Sequence, residues 1–287
     1  MDFKGIITPM ITPVKKGKID EGNIKALVEF LVESGVEGIF PGSSTGGFTL
    51  FSFEKHLKII KIARNNLPSN RIFLSGISRN DLEETKQMGK NAVDIGSDGV
   101  VVITPYYLKF DQDAIFRYYS EIASNIEIQI FVYNNPTFSS NEILPETVEK
   151  LMNEYSNIVG LKDSSGNMRL FNRYMAHMPK HRYIFQGRDD LLYESLMAGA
   201  SGGVCGISNF SEIIHKLYVS MDISLHKKVV LIAETLQNFP NNVSYNYLFR
   251  KLVLGEIDPV NYAMSPYSDL NEKQLEEIEK VIKILRN

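Results

Sequence analysis

Ile158-Val-Gly-Leu-Lys-Asp-Ser-Ser165 is the stretch on which the fold turns. Apolar and β-branched residues run up to one cation, Lys162, and polar residues follow at once. Residues 151–155 before it and 167–178 after it have helical spacing, which predicts a parallel strand buried on both faces. A lysine at the end of such a strand is costly, because burial disfavours the ammonium form and lowers its pKa. That is also what a lysine needs in order to attack a carbonyl carbon as a free amine. A plainer role fits the same residue, a strand-end lysine snorkelling to solvent or paired with Asp163.

Working outward, the same rhythm repeats. Short β-branched runs at 5–12, 38–43, 71–77, 99–107, 128–134, 158–165, 183–189 and 202–208 alternate with amphipathic segments, the signature of βα units and a parallel sheet. An open doubly wound sheet usually carries a glycine-rich loop after its first strand, and Thr8-Pro-Met-Ile-Thr-Pro13 has none. Eight runs therefore predict an α/β fold of the (β/α)8 TIM barrel type. Helices are expected at 23–33, at 52–66 with Ser52 as cap, and at 145–155 with Pro145 in the first turn. Past Phe210 the pattern is helical only, at 226–239, 243–254 and 271–285. This gives a catalytic barrel over residues 1–220 and a C-terminal helical extension over 221–287, packed on the barrel.

Composition narrows the class. The 287 residues are 44% hydrophobic, enough for a large core, and 31 basic against 34 acidic side chains are mixed throughout for a net charge of −3. No basic face stands out, so neither nucleic acid nor a membrane surface is an expected partner, and small solutes are. One cysteine, Cys205, excludes an internal disulfide and suits a reducing compartment. With no signal-like start and no apolar run of about eighteen residues, a cytoplasmic protein is expected.

In a barrel the chemistry sits at the carboxyl ends of the strands. The second run ends in Phe40-Pro-Gly-Ser-Ser-Thr-Gly-Gly47, whose hydroxyls and backbone N–H groups suit a carboxylate or phosphate, although a bare Gly-Ser turn is its blander reading and no P-loop lysine follows. Tyr106 and Tyr107 end the fourth run and Tyr133 the fifth, all on the face where Lys162 emerges. Gln186-Gly-Arg-Asp-Asp190 ends the seventh, where Asp190 also reads as a helix cap, and Gly202-Gly-Val-Cys-Gly206 ends the eighth with small residues that admit a ligand to the backbone.

Ser43-Ser-Thr-Gly46, Pro105-Tyr-Tyr107, Tyr133-Asn-Asn-Pro136, Gly160-Leu-Lys-Asp163 and Gly187-Arg-Asp189, in this order, resemble the dihydrodipicolinate synthase and N-acetylneuraminate lyase superfamily of class I Schiff-base aldolases. The resemblance spans nearly the whole chain. It implies that Lys162 forms an imine with a 2-keto acid, that Tyr133 shuttles protons at the reacting carbon, and that Ser44 and Thr45 hold the carboxylate. Tyr107 resembles the tyrosine that enters a neighbouring subunit's site, which implies an oligomer, commonly a homotetramer. Ser43, Pro9, Tyr106, Ser164, Gly187, Asp189, Asp190 and Gly206 complete the expected substrate-binding set. Condensing amine and ketone makes an electron sink, so C3–C4 cleavage to an enamine needs only a base at the C4 hydroxyl, and no metal or organic cofactor is expected. A relay through Ser44 and Tyr107 is expected to let Tyr133, with its ordinary pKa of about 10, act near neutral pH.

Two departures narrow the expected substrate. Phe138 stands in the loop where dihydrodipicolinate synthases usually carry an arginine for a distal carboxylate, and Gly47 replaces the usual glutamate, resembling archaeal-type 2-keto-3-deoxygluconate aldolases. Asp189 and Asp190 are expected to accept from sugar hydroxyls. The expected activity is therefore reversible cleavage of 2-keto-3-deoxygluconate, or its C4 epimer, to pyruvate and glyceraldehyde, with a small 2-keto acid and an aldehyde as partners. Another pyruvate-dependent lyase or a keto-deoxy sugar acid dehydratase of the same superfamily, or a non-catalytic sugar-acid binder, are the alternatives. His177 and His181, interrupted by Pro179, read as surface residues and Cys205 as a small buried hydrophobe. Tyr245 and Tyr247 fit either the barrel mouth or a subunit interface.

Overall fold

The computed structural model describes residues 2–286. Eight strands, β1 (Gly5–Pro9), β2 (Gly38–Phe40), β3 (Ile72–Gly76), β4 (Gly99–Ile103), β5 (Gln129–Asn134), β6 (Ile158–Asp163), β7 (Tyr183–Gln186) and β8 (Gly202–Gly203), close into one parallel barrel in which each strand pairs with its neighbours in sequence and β8 returns to β1. All eight runs expected from sequence are present, seven of them shorter at the carboxyl end, while β5 ends at Asn134 as expected. Beyond the rim a strand has no ladder partner, and the chain turns off into the loops that build the site.

Strand alternation divides the core in two. Ile7, Phe40, Leu74, Val101, Phe131 and Phe185 fill the barrel's interior, while their neighbours in sequence, such as Ile6, Ile39, Phe73, Val100 and Val132, pack outward against the helices. Both faces are dry, which is why the runs read as continuously apolar.

The helices start where short polar side chains can satisfy free N–H groups. Asp20 accepts from Asn23 N at 3.2 Å ahead of Glu21–Glu33, Asp81 from Glu84 N at 2.8 Å ahead of Leu82–Ile95, and Asn167 from Leu170 N at 3.1 Å ahead of Met168–His177. Ser52 caps Phe53–Asn66, and Pro145 opens Pro145–Glu154. A small hairpin, Val14–Lys15 with Lys18–Ile19, was not foreseen. Its Lys16-Gly17 turn takes φ of 51° and 70°, the left-handed pair that suits a tight hairpin.

After β8 come Ile213–Ser220 and then Ile223–Leu236, Asn241–Leu248 and Glu272–Arg286. Ile223–Leu236 packs on Glu272–Arg286, on Ile213–Ser220 and on the turn after β7. Arg250, 1% exposed, donates to Val14 O at 2.9 Å and pairs with Asp20 and Glu256, which ties this region to the first hairpin. The effect is to hold the segment 237–245 over the barrel's carboxyl end.

Candidate active site

Lys162 is the penultimate residue of β6 and is 4% exposed. In register it stands between Tyr133 on β5 and Phe185 on β7. Its Nζ lies 4.0 Å from the centroid of the Tyr133 ring and 5.2 Å from that of Phe40. Asp163, one residue on, faces the other side of the sheet, where its carboxylate accepts from Asn134 Nδ2 at 2.7 Å and Ser165 Oγ at 2.8 Å. The pairing of Lys162 with Asp163 left open by the sequence is thereby excluded, and so is snorkelling to solvent. Gly187 makes room for the lysine: a Cβ there would lie 1.9 Å from Ser164 Oγ and 3.0 Å from Lys162 Cε.

Tyr133 is buried beside this amine. Burial alone pushes its phenol up, but the Lys162 cation and the polar groups of Asn135, Ser164 and Ser44 outweigh it, and the net effect holds the phenol below its usual value. The closest of these groups is Asn135, whose Nδ2 donates to the Tyr133 hydroxyl at 2.8 Å. A phenol so placed is a stronger candidate for base catalysis than a free tyrosine.

Below the two side chains lies a cavity of about 120 Å³, lined by Pro9, Ser44, Thr45, Tyr133, Lys162, Ser164, Gly187, Asp189 and Gly206 from the expected set. Ser43 faces elsewhere. Its Oγ donates to Met10 O and accepts from Gly46 N, both at 3.1 Å, so it braces the loop that presents Ser44 and Thr45. Gly47 closes the loop with φ +69°, a conformation a glutamate would strain to adopt.

The acidic pair is engaged differently from what the sequence suggested. The Asp189 carboxylate accepts from the backbone N–H groups of Gly206 at 3.0 Å and Ile207 at 2.8 Å, clamping the β7 loop to the turn after β8. Burial pushes its pKa up to about 6 against those two donors. Asp190 lies outside the cavity wall and is forked to Arg188, Nε to Oδ1 at 3.2 Å and Nη2 to Oδ2 at 3.3 Å. Neither carboxylate is the open hydroxyl acceptor expected of it.

A wider vestibule of about 570 Å³ shares Ser44, Thr137 and Arg188 with this cavity and is lined by Tyr106 and by hydroxyl, amide and apolar groups including Thr49, Phe138, Gln237, Asn241 and Asn242, with Arg188 the one charged side chain in its wall among the described residues. Tyr106 sits edge-on to Phe48 with centroids 6.0 Å apart, its hydroxyl pushed up to about 12 by burial. Tyr107 is not brought to the site. It is 87% exposed, has φ +76°, and borders a separate groove with Arg79, Leu108, Phe110 and Arg117. A relay from Tyr133 through Tyr107 therefore does not exist within one chain.

Sequence reasoning missed Asn135, Thr137, Arg188 and Asn241 as wall residues. For Asn135 a signal was present, since residues two apart on an extended chain face the same way and Tyr133 was already placed. Tyr245 belongs to the barrel mouth, which settles one of the two roles left open for it, while Tyr247 packs on Tyr262 at 5.6 Å.

A parallel (β/α)8 barrel with a buried lysine and an activated phenol facing each other at its carboxyl end defines a class I, Schiff-base-dependent carbon–carbon lyase. The chain belongs to the dihydrodipicolinate synthetase family, whose model matches residues 2–285. A relative from Picrophilus torridus, named 2-dehydro-3-deoxy-D-gluconate/2-dehydro-3-deoxy-phosphogluconate aldolase, is 37% identical over 252 residues, covering 84% of this chain and 93% of its own. The solved structure of 2-keto 3-deoxygluconate aldolase from Picrophilus torridus superposes with a TM-score of 0.87 at 34% identity, covering 94% of this chain and 98% of that one. A 4-hydroxy-tetrahydrodipicolinate synthase from Syntrophus aciditrophicus is 34% identical over 207 residues, 72% of this chain and 71% of its own. No helix among the described residues is long and apolar enough to cross a membrane.

Proposed function

We propose that this chain is an aldolase that cleaves 2-keto-3-deoxygluconate, or its C4 epimer, reversibly to pyruvate and glyceraldehyde. The Lys162 amine attacks the C2 carbonyl and forms the imine, the carbonyl oxygen leaving as water. Ser44 and Thr45 hold the C1 carboxylate, matching hydroxyl and N–H donors to it without a second cation beside the imine. Tyr133 takes the C4 hydroxyl proton as the C3–C4 bond breaks, and the enamine keeps the bonding electrons.

The observation that carries the substrate is the vestibule wall. Where the substrate's far end would lie, the wall offers Thr49, Thr137, Gln237, Asn241 and Asn242, groups that pair with neutral hydroxyls, and its single cation is already neutralised by Asp190. The name of the Picrophilus torridus relative supports the same class. That name also includes the phosphorylated acid, and Arg188 is the residue that would favour it, as a second substrate.

The deciding experiment is a panel of keto-deoxy sugar acids assayed for pyruvate release, beside aspartate semialdehyde condensation and N-acetylneuraminate cleavage. Higher efficiency on either of the last two would overturn the substrate class. The same proposal takes the working enzyme to be a homo-oligomer, a tetramer, and the support for it is that Tyr107, Leu108 and Phe110 leave an exposed aromatic and apolar rim, the kind of surface that contact between copies covers. Sedimentation of the purified protein tests this.

A further inference from the structure

Asn135 occupies a position where an asparagine normally does something else. It is the residue ahead of the short helix Pro136–Ser139, and at that position an Asn side-chain oxygen ordinarily accepts from the N–H groups of the first turn. Here it makes no capping hydrogen bond. Its backbone carbonyl takes over, accepting from Phe138 N at 3.1 Å, Ser139 N at 3.0 Å and Ser139 Oγ at 3.0 Å. With φ −149° and ψ 78° the chain is still extended at this residue, so its side chain keeps the inward face of Tyr133 while Asn134 between them faces out to Asp163. The freed amide is 6% exposed, lines the cavity and donates to the Tyr133 hydroxyl at 2.8 Å.

We infer that Asn135 is a positioning residue that holds the Tyr133 oxygen by donating to it, so that the phenolate is the form stabilised and the tyrosine is poised to act as base. A donor aimed at an oxygen favours its charged form, and in a dry site that bias is large. It also fixes the orientation of the ring over whose face the Lys162 amine lies. The lowered value of the Tyr133 phenol, to which Asn135 contributes, agrees with this.

The inference rests on the reading of Lys162 as the imine lysine, and its test avoids the aldehyde half of the substrate. Pyruvate bound as the Lys162 imine exchanges its C3 hydrogens. In the protonated imine the C3–H bond breaks, its electron pair becomes the C2=C3 bond of the enamine, the C=N π electrons move onto the positively charged lysine nitrogen and neutralise it, and the proton passes to the Tyr133 phenolate oxygen. Exchange into D2O is followed by NMR across a pD series, and imine formation is followed separately by borohydride trapping and intact mass.

Asn135→Leu keeps the shape and removes the donor. Neutral-pD exchange should fall about tenfold and recover when pD is raised by about one unit, with trapping yield within about twofold of the wild type. Asn135→Asp, the same size but able only to accept when ionised, should lose at least as much, and it carries the test alone if the leucine variant does not fold. Asn135→Ser, which restores a donor, should recover part of the shift. Profiles of the Leu and Asp variants that superimpose on the wild type, or that fall equally at every pD, would overturn the inference, as would trapping with no exchange in the wild type. A wild-type protein that traps no pyruvate would refute the Lys162 reading first and this inference with it.

Discussion

Lys162 and Tyr133 stand directly opposite each other across the β5–β6 pairing, with the amine 4.0 Å from the centroid of the phenol ring. Parallel pairing in register puts both side chains on the inner face, and the barrel's closure leaves them one shared cavity. The amine lies over the ring while Asn135 donates to the phenol oxygen, so both reacting groups and the brace that holds one of them line a single cavity.

Two substitutions separate their roles. Lys162→Ala should abolish the borohydride-reducible pyruvate adduct, read by intact mass, and an undiminished adduct would move the chemistry to another lysine. Tyr133→Phe keeps the ring under the lysine and removes the proton carrier, so turnover should fall by about two orders of magnitude while an adduct still forms. Near-normal turnover in that variant would sink the base assignment.

Gly187 is a tighter constraint than its place in a loop suggests. A methyl group there meets Ser164 Oγ at 1.9 Å and Lys162 Cε at 3.0 Å, so either the serine or the lysine must move. Gly187→Ala is expected to cost about 1–3 kcal/mol of stability through overpacking and to slow imine formation more than it lowers the melting temperature implies. A pre-steady-state trapping rate equal to that of the wild type would show that the serine alone gives way.

Asp189 sets a pH dependence of stability. Its folded pKa is raised to about 6 from 3.8, chiefly by burial, so the stabilisation it contributes is fully present below about pH 4 and is lost as the pH rises through 6. Allowing for the partial exposure of the residue, the change is about 1–2 kcal/mol. Asp189→Asn has no charge to bury, and the difference in melting free energy between wild type and variant should therefore shrink by that amount between pH 4 and pH 7. A constant difference would mean that the carboxylate is charged throughout.

The strand-end lysine, the tyrosine and the hydroxyl loop were legible because each stands where an apolar run stops, and that boundary is written in the sequence. The acidic pair was expected to face open hydroxyls, and what engages each carboxylate instead is not written beside it in a readable form. Asp189 finds two N–H groups on residues 206 and 207, brought near only when β8 lies beside β7. Asp190 had a local partner, Arg188, but an Arg-x-Asp spacing in a loop does not reveal whether the fork closes. Asn241 and Tyr245 reach the site from a helix that sequence places only as part of an extension, because what brings it over the mouth is the buried Arg250 anchor and the helix packing. The eight-run rhythm, by contrast, survives any error in loop length, and the barrel follows from it.

Discrimination against a phosphorylated substrate should come from Arg188 and Asp190 acting together. A phosphate at the far end of the substrate needs planar bidentate donors, and the vestibule wall offers one guanidinium, whose Nε and Nη2 already face Asp190 at 3.2 and 3.3 Å. Binding the phosphate means breaking that fork or placing two anions around one cation, whereas a neutral hydroxyl is accommodated by the amides nearby. The plain acid should therefore be preferred over the 6-phosphate by at least about tenfold in kcat/KM, or about 1.4 kcal/mol in transition-state binding. Asp190→Asn frees the guanidinium and should raise the specificity for the 6-phosphate relative to the plain acid, while Arg188→Ala should remove whatever turnover of the 6-phosphate the wild type has. Steady-state kinetics on both acids with the three proteins decides the matter. Equal specificity in the wild type, or a ratio untouched by Asp190→Asn, would show that the fork is not what selects the substrate's far end.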